Sequence, residues 1–175
     1  MQVRLATMAD YPAVMALYDE ASDTMTGMAH DCCWRRGGHP SRAFVEGLVR
    51  EGGMLVALEG GEVVGAVGID HDLGHDYGAL PWLVDAVEDE VAVVHLLVVR
   101  LDHRGQGLSH QLLRACLDEA RRRGLRTARL DATANNAPAI ALYESEGFSR
   151  VGGGWLDVGL AERPLVEFVV MERIL

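Results

Sequence analysis

The sequence predicts one mixed α/β domain that spans residues 1–175 and is built around a single sheet. Short apolar runs have the character of strands, longer segments carry apolar residues at helical spacing, and glycines separate the two kinds of segment. A chain of 175 residues is long enough to bury a hydrophobic core without disulfides or metals. Its composition, 49% hydrophobic and 24% charged, is ordinary for a globular protein.

The first half of the chain alternates between strand and helix patterns. Residues 2–7 alternate like a strand, and a helix that starts between Thr7 and Asp10 is expected to run through YPAVMALYDEAS. Residues 41–52 place apolar side chains at helical spacing and end in glycine, which predicts a second helix. Residues 54–69 form two apolar runs around EGGE, a pattern typical of a β-hairpin.

The second half begins after a polar stretch that contains Gly74, Gly78 and Pro81. Asn135 or Asn136 is expected to cap the last helix, and glycines are expected to end the last two helices. The predicted elements are strand 91–99, helix 107–123, strand 127–132, helix 135–147, and strands 148–158 and 165–174.

The net charge of −10 is concentrated in one segment. The chain has no lysine, so its 16 basic residues are all arginines, against 26 acidic residues. Ten of the acids lie between Glu51 and Val99, where no arginine occurs, and the other 16 balance the arginines. Nucleic acid is therefore not expected as a partner, because phosphate binding needs clustered basic residues. The acidic segment 51–99 is either a solvated loop or a field that attracts a cationic substrate.

Three further patterns bear on location and metal binding. No apolar run approaches the roughly eighteen residues of a membrane helix, so no membrane partner is expected. The N-terminal residues carry no apolar signal region, and three cysteines form no disulfide framework, which predicts a cytoplasmic protein. Two groups lack the spacing of metal sites and are expected to be loop residues without a metal: His71, Asp72, His75 and Asp76, and His30, Cys32, Cys33 and His39.

The turn HRGQG, which joins strand 91–99 to the next helix, has the chemistry of a phosphate site. Gly105 and Gly107 lack a Cβ and allow close approach to backbone N–H groups at a helix N-terminus, and Arg104 adds a bidentate cation. The pattern favours a pyrophosphate ligand over a turn that merely needs glycine. A dinucleotide site would need a third glycine where His110 stands, although Asp131 after the next strand keeps that alternative open.

Two motifs carry a resemblance to a known family. The pattern Arg104-x-x-Gly107-x-Ser109 resembles the pyrophosphate-binding signature of the GNAT superfamily of N-acetyltransferases, where the last position is usually glycine or alanine. The two motifs stand in the family's order and spacing, and the resemblance is closest to bacterial members whose substrate is unassigned. The second motif, residues 136–148, is similar to this family's at Asn136, Ala139, Leu142, Tyr143, Gly147 and Phe148.

The resemblance implies a fold, a cofactor and a reaction. It implies the GNAT acyl-CoA N-acyltransferase fold, whose mixed, mostly antiparallel sheet is flanked by helices and splays between strands 91–99 and 127–132. It implies an enzyme that transfers the acetyl group of acetyl-CoA to a primary amine, with Tyr143 as general acid, although Tyr143 also has the spacing of a core aromatic. The implied cofactor-binding residues are Leu97, Val98, Val99, Arg104, Gly105, Gln106, Gly107, Leu108, Ser109, Asn136, Ala139 and Tyr143.

No single general base is predicted. His95 alternates with Leu97 and Val99, so it is expected to face away from Leu96 and Val98 and to be a core residue. The remaining candidates would drain the ammonium proton through water or, for Asp131, fix local geometry by hydrogen bonds. They are Asp70, His71, Glu90 and Asp131.

The acidic segment leads to the hypothesis of a small cationic acceptor, such as a polyamine, a basic amino-acid derivative or an aminosugar. Seven of its ten acids lie in the connection 70–90, which is expected to border the acceptor entrance, with Glu88, Asp89 and Glu90 contributing to the field. Two alternatives stay open: a catalytically silent acyl-CoA-binding regulatory module and, more remotely, a dinucleotide-binding domain. The resemblance also allows a homodimer as partner.

Overall fold

The part of the chain that the structure describes folds into a seven-stranded sheet and four α-helices. The computed structural model describes residues 1–75, 77 and 79–175; Asp76 of the first His/Asp group and Gly78 of the polar stretch lie outside the described residues. Every predicted element is present, with ends shifted by a few residues. The elements are β1 (Gln2–Leu5), α1 (Tyr11–Met25), α2 (Arg42–Arg50), β2 (Met54–Glu59), β3 (Glu62–Asp70), β4 (Val91–Val99), α3 (Leu108–Arg122), β5 (Thr127–Thr133), α4 (Ala137–Ser145), β6 (Ser149–Leu156) and β7 (Val166–Ile174).

The sheet has the strand order β1-β2-β3-β4-β5-β7-β6 and is mostly antiparallel. Among the described strands β4 and β5 alone pair in parallel, and that pairing covers Val91–Val93 and Thr127–Arg129. Since β4 continues to Val99 and β5 to Thr133, the two strands separate toward their C-terminal ends. The mixed, mostly antiparallel sheet and its splay are thus confirmed.

Helices cover both faces of the sheet. The apolar face of α3, which includes Leu112 and Leu117, packs with α4 against one face. Gly65 of β3 permits this contact, because a Cβ there would lie 2.7 Å from Cδ1 of Leu112. Helices α1 and α2 cover the other face, where Tyr18 and Leu48 are buried against β2, β3 and β4. The two faces are called the α3 side and the α1 side below.

A β-bulge in β4 overturns the predicted alternation around His95. Leu96 has a φ of +55°, and β4 carries one more residue than β3 between the pairs Gly68↔His95 and Ala66↔Val98. Val94 packs on the α3 side, whereas Leu96 and Val98 pack on the α1 side. His95 meets Phe44 of α2 and so shares the α1 side with Leu96, contrary to the expectation.

The described residues of the connection between β3 and β4 contact β5, β6 and β7. A Cβ on Gly152 of β6 would lie 2.5 Å from Cδ2 of Leu80, so the glycine makes room for that side chain. Arg129 of β5 donates to the Val84 carbonyl at 3.0 Å and stacks on Trp82 at 3.9 Å from the ring centroid. Arg129 also pairs with the fully buried Glu172 of β7 at 3.0 Å, so the connection is anchored by a buried ion pair.

Membrane insertion by a helix finds no support in the described part of the chain, where each helix is too short or too polar to cross a bilayer.

Candidate active site

A cavity of about 920 Å³ lies where β4 and β5 separate. Its lining comes from both faces of the sheet. The α3 side contributes residues of the turn before α3 and of α4. The α1 side contributes residues of the α1–α2 loop, α2, β3 and the face of β5 that carries Asp131 and Thr133. The gap in the sheet therefore connects two chemically different surfaces.

The turn before α3 presents a set of free amide groups. Gly105 and Gly107 have φ angles of +74° and +78°, a conformation that favours glycine, and nothing lies within 4 Å of a Cβ built on either. Within residues 1–75, 77 and 79–175, the N–H groups of residues 105–109 donate to no acceptor. Free amides at a helix N-terminus favour an anion.

Two basic side chains lie beside these amides. Arg104 lines the cavity, and its Nε donates to the Val99 carbonyl at 3.2 Å. Its Nη2 makes only a weak contact with the Met25 sulfur at 3.7 Å, so the terminal nitrogens remain available to a charged ligand. His103 also lines the cavity, and hydrogen bonds with Asp102 and Glu59 raise its pKa. The amides, Arg104 and the unpaired edge of β4 fit a pyrophosphate with an extended amide arm.

The structure brings most of the expected cofactor residues to this cavity. Gln106 and Gly107 are outside its lining, and the Gln106 side chain instead donates to the Asp102 carbonyl at 3.2 Å. Of the two candidate caps, Asn136 caps α4 by accepting from the Ala139 N–H at 3.4 Å. The residues that do line the cavity are Leu97, Val98, Val99, Arg104, Gly105, Leu108, Ser109, Asn136, Ala139 and Tyr143.

Tyr143 belongs both to the core and to the cavity wall. Its ring is 9% exposed and packs edge-on against Phe148, with 5.9 Å between the ring centroids. Among the residues described, its hydroxyl has no hydrogen-bond partner. Burial raises the pKa of Tyr143, and the Asp131 carboxylate raises it further, so the phenol retains its proton at neutral pH.

A histidine–aspartate pair lies on the α1 side of the gap. Nε2 of His95 is 2.7 Å from Oδ1 of Asp70, and both residues line the cavity. The imidazole packs edge-on against Phe44, with 5.5 Å between the ring centroids. His95 is therefore a cavity residue, which corrects its assignment to the core; the bulge at Leu96 is the physical reason.

Asp131 faces the cavity from β5. Its carboxylate accepts a hydrogen bond from the Tyr77 hydroxyl. Burial raises the pKa of Asp131, an effect that outweighs the Tyr77 hydrogen bond and the nearby imidazoles. Thr133, two residues further along β5, is 2% exposed, and its Oγ1 has no hydrogen-bond partner among the described residues.

Comparison with known proteins decides the family. Residues 14–148 match the model of the Acetyltransferase (GNAT) family. The chain belongs to the GNAT family. Membership makes it an N-acetyltransferase, and the cofactor of this family is acetyl-CoA.

Similar GNAT proteins come from several bacteria. The chain is 30% identical to the L-methionine sulfoximine/L-methionine sulfone acetyltransferase of Pseudomonas aeruginosa, over 89% of this chain and 90% of that protein. The solved ribosomal-protein-alanine N-acetyltransferase of Brucella melitensis has 26% identity and a TM-score of 0.76 over the full length of both chains. The acetyltransferase yncA of Salmonella typhimurium, solved with its cofactor acetyl-CoA, has 24% identity and a TM-score of 0.72, covering 99% of this chain and 93% of that one.

The acidic segment of this GNAT chain divides between the cavity and the far end of the sheet. Asp70 and Asp72 line the cavity, but Glu88, Asp89 and Glu90 do not. These last three form a short 3₁₀ turn before β4, and Glu90 pairs with Arg126 at 2.7 Å. The expectation that they border the acceptor entrance is wrong, because the anchored connection carries them to the closed end of the β4–β5 pair.

The α1–α2 loop supplies cavity residues that sequence reasoning did not assign to the site. The buried Asp31 orders the loop by accepting from the N–H groups of Gly27 and Cys33 at 3.0 and 2.8 Å. Burial raises the pKa of Asp31, but hydrogen bonds from Arg35 and these amides outweigh burial and lower it overall. No pattern in the sequence indicated that Phe168 and Thr133 would line the cavity. The loop and helix residues in the lining are His30, Cys32, Cys33, Trp34, His39 and Phe44.

The cysteine–histidine group contributes shape rather than reactivity. Burial raises the pKa of the Cys32 thiol to about 12, so it carries no nucleophilic thiolate at neutral pH. Within the described ranges, no group of three or more His, Cys, Asp or Glu side chains has the arrangement to hold a metal ion.

Proposed function

We propose that this GNAT enzyme transfers the acetyl group of acetyl-CoA to the primary amine of a small cationic acceptor by direct attack on the thioester, within one domain formed by residues 1–175. One observation carries the proposal: a single cavity joins the amide-lined turn at Arg104, the hydroxyl of Tyr143 and a carboxylate-lined surface. The seven-stranded sheet from Gln2 to Ile174 supports the single domain.

The α3 side is the proposed cofactor site. Arg104 and the amides of residues 105–109 hold the pyrophosphate, with Gln106 and Gly107 contributing backbone N–H groups rather than cavity surface. The backbone of Leu97–Val99 holds the pantetheine arm, because the pairing of β4 with β5 ends at Val93. Bound acetyl-CoA supplies the activated acetyl thioester. Asn136 and Ala139 complete the proposed site from α4.

Two side chains serve the proton transfers. Tyr143 donates a proton to the departing thiolate, a role supported by its unpartnered hydroxyl in the cavity wall. His95 accepts the proton of the amine at Nδ1, while Asp70 at Nε2 orients the ring and stabilises the imidazolium. The amine needs this step because a protonated nitrogen has no lone pair for attack.

The surface on the α1 side supports a cationic acceptor. Asp70, Asp72, Asp131 and Asp157 all line the cavity, which gives it negative potential on that side. The anionic cofactor is attracted instead to Arg104 on the α3 side. The acids of segment 51–99 that lie outside the cavity, such as Glu88, are therefore not required for this attraction.

Thiol release from acetyl-CoA, measured over a panel of primary amines, tests the proposal. We expect turnover with small cationic amines and about a hundredfold to ten-thousandfold lower kcat for Tyr143→Phe, with the KM for acetyl-CoA nearly unchanged. Tight coenzyme A binding without turnover on any amine would instead identify a silent acyl-CoA-binding module. A fully active Tyr143→Phe variant would leave Tyr143 as a core aromatic.

A further inference from the structure

We propose that the acceptor is a primary amine without a free carboxylate, and that Asp131 and Thr133 on β5 select it. The inference rests on the proposed acetyl transfer and adds which amines the site accepts. It is carried by the position of these two side chains, by the missing counter-ion of Asp131, and by the distribution of cations around the cavity.

Asp131 and Thr133 stand in the opening between the strands. Ala128, Leu130 and Ala132 pack in the core on the α3 side, so alternation directs Asp131 and Thr133 to the α1 side. They lie two and four residues beyond Arg129, the last β5 residue paired with β4. An acceptor that reaches the gap from the α1 side must pass both.

Asp131 has no cationic partner. Among the residues that the structure describes, no arginine or histidine nitrogen lies within 4 Å of its carboxylate, and its hydrogen bond comes from the neutral Tyr77. Glu172, which faces the same side from β7, is by contrast paired with Arg129 at 3.0 Å. Asp131 is half-buried, a partly desolvated carboxylate without a counter-ion is costly, and a bound ammonium group would supply the missing charge.

Thr133 gives a second, independent indication of a ligand. It is 2% exposed and lines the cavity, yet Oγ1 is the one buried side-chain nitrogen or oxygen without a hydrogen-bond partner among the described residues. Buried hydroxyl groups are normally satisfied. An N–H group of an acceptor held by Asp131 would satisfy this one.

The α1 side offers little to a carboxylate. The chain has no lysine, and among the described lining residues Arg104, on the α3 side, is the one guanidinium. The other basic groups on the α1 side are imidazoles, and burial lowers the pKa of His39. An α-carboxylate would face Asp70, Asp72 and Asp157 without a permanent cation to bind it.

Acceptor pairs that differ in one carboxylate test the selection. The pairs are cadaverine with L-lysine, tyramine with L-tyrosine, and L-methionine sulfone methyl ester with L-methionine sulfone. We expect kcat/KM at least tenfold higher for the member without the carboxylate. Equal or higher values for the amino acids would overturn this inference and leave the proposed acetyl transfer intact. No turnover on any of the six would overturn the proposed function and this inference with it.

Two variants connect that preference to β5. Asp131→Asn should lower kcat/KM for tyramine at least tenfold. It should also reduce the ratio of kcat/KM for tyramine to kcat/KM for L-tyrosine, with the KM for acetyl-CoA unchanged. Thr133→Val keeps the branched shape and should lower kcat/KM for tyramine several-fold without lowering Tm. Glu88→Gln, which removes an equal charge outside the cavity, is the matched control and should behave as wild type.

The variant Tyr77→Phe tests whether Asp131 has only a structural role, because it removes the hydrogen bond between the two residues but keeps the carboxylate. We expect this variant to retain the preference for tyramine over tyrosine. If Tyr77→Phe abolishes the preference while Asp131→Asn retains it, Asp131 only fastens Tyr77 and the inference fails. If Asp131→Asn does not fold, the wild-type pairs and Thr133→Val still decide.

Discussion

Replacement of Arg104 by alanine should weaken acetyl-CoA binding without unfolding the protein. Arg104 is exposed at the turn before α3, and Nε alone of its guanidinium is used by the backbone, in the 3.2 Å contact with the Val99 carbonyl. The variant therefore removes a ligand contact and little packing. The free energy of unfolding is expected to change by no more than about 0.5 kcal/mol, which is the range of ordinary surface substitutions.

The expected loss follows from the contacts that Arg104 still has to offer. A hydrogen bond to a charged group contributes about 1.5–3 kcal/mol, and about 1.4 kcal/mol corresponds to a tenfold change in affinity. Acetyl-CoA affinity should thus fall by about 10- to 150-fold. Solvent exposure of Arg104 screens the interaction and favours the lower part of that range.

Titration calorimetry with two acetyl donors distinguishes the loss of this pyrophosphate contact from a general loss of cofactor binding. Acetyl-CoA carries the pyrophosphate and S-acetylpantetheine lacks it, so Arg104→Ala should weaken only the first. Arg100→Ala is the matched control, because Arg100 is tied to Glu62 and Asp102 and does not line the cavity. Unchanged acetyl-CoA affinity in Arg104→Ala, or an equal loss with S-acetylpantetheine, would refute the pyrophosphate assignment.

Three further predictions concern the base, an ion-pair cluster and the sheet. His95→Gln should lower kcat about 100-fold with the KM for acetyl-CoA unchanged; wild-type kcat in steady-state assays would exclude His95 as the base. Arg122 lowers the pKa of Glu119 to about 2 from 4.5, so the stability from this carboxylate is complete above pH 4.5 and is lost as pH falls toward 2. Urea unfolding should therefore show a stability difference between wild type and Glu119→Gln that shrinks below pH 4.5, and a constant difference down to pH 3 would contradict the ion pair. Gly153→Ala should destabilise by about 3 kcal/mol, because its Cβ would lie 2.2 Å from the Phe168 carbonyl oxygen; urea unfolding would show this loss, and Gly47→Ala, in open space on α2, is the control that should not lose stability.

Local patterns were sufficient to predict the elements, and they named most of the residues that line the α3 side of the cavity. The turn at Arg104 and the helix with Tyr143 each lie within one short segment, so spacing along the chain carries their geometry. The splay between β4 and β5 followed from the family resemblance and was confirmed, whereas the parallel direction of this pair was not predicted.

The acceptor half depended on features that spacing does not encode. One extra residue at Leu96 reverses the direction of His95, and nothing in VVHLLVV marks it. The position of Glu88 depends on contacts of the connection with β6 and β7, which are distant in sequence. The run of glycines in β6 could have indicated that another segment packs closely on this strand, because side chains of the connection occupy the space that a Cβ on Gly152 would fill.

The short pairing of β4 with β5 also means that a small rotation there has a larger effect at the open end of the gap. Three residue pairs at Val91–Val93 join the four strands on one side of the gap to the three on the other. Val99 lies six residues further along β4, about 20 Å from that junction at the rise of an extended strand, so a small rotation at the junction becomes a larger change in gap width at the far end. Substitutions near the Glu90–Arg126 pair could therefore alter which amines are admitted while every residue that touches a ligand stays the same.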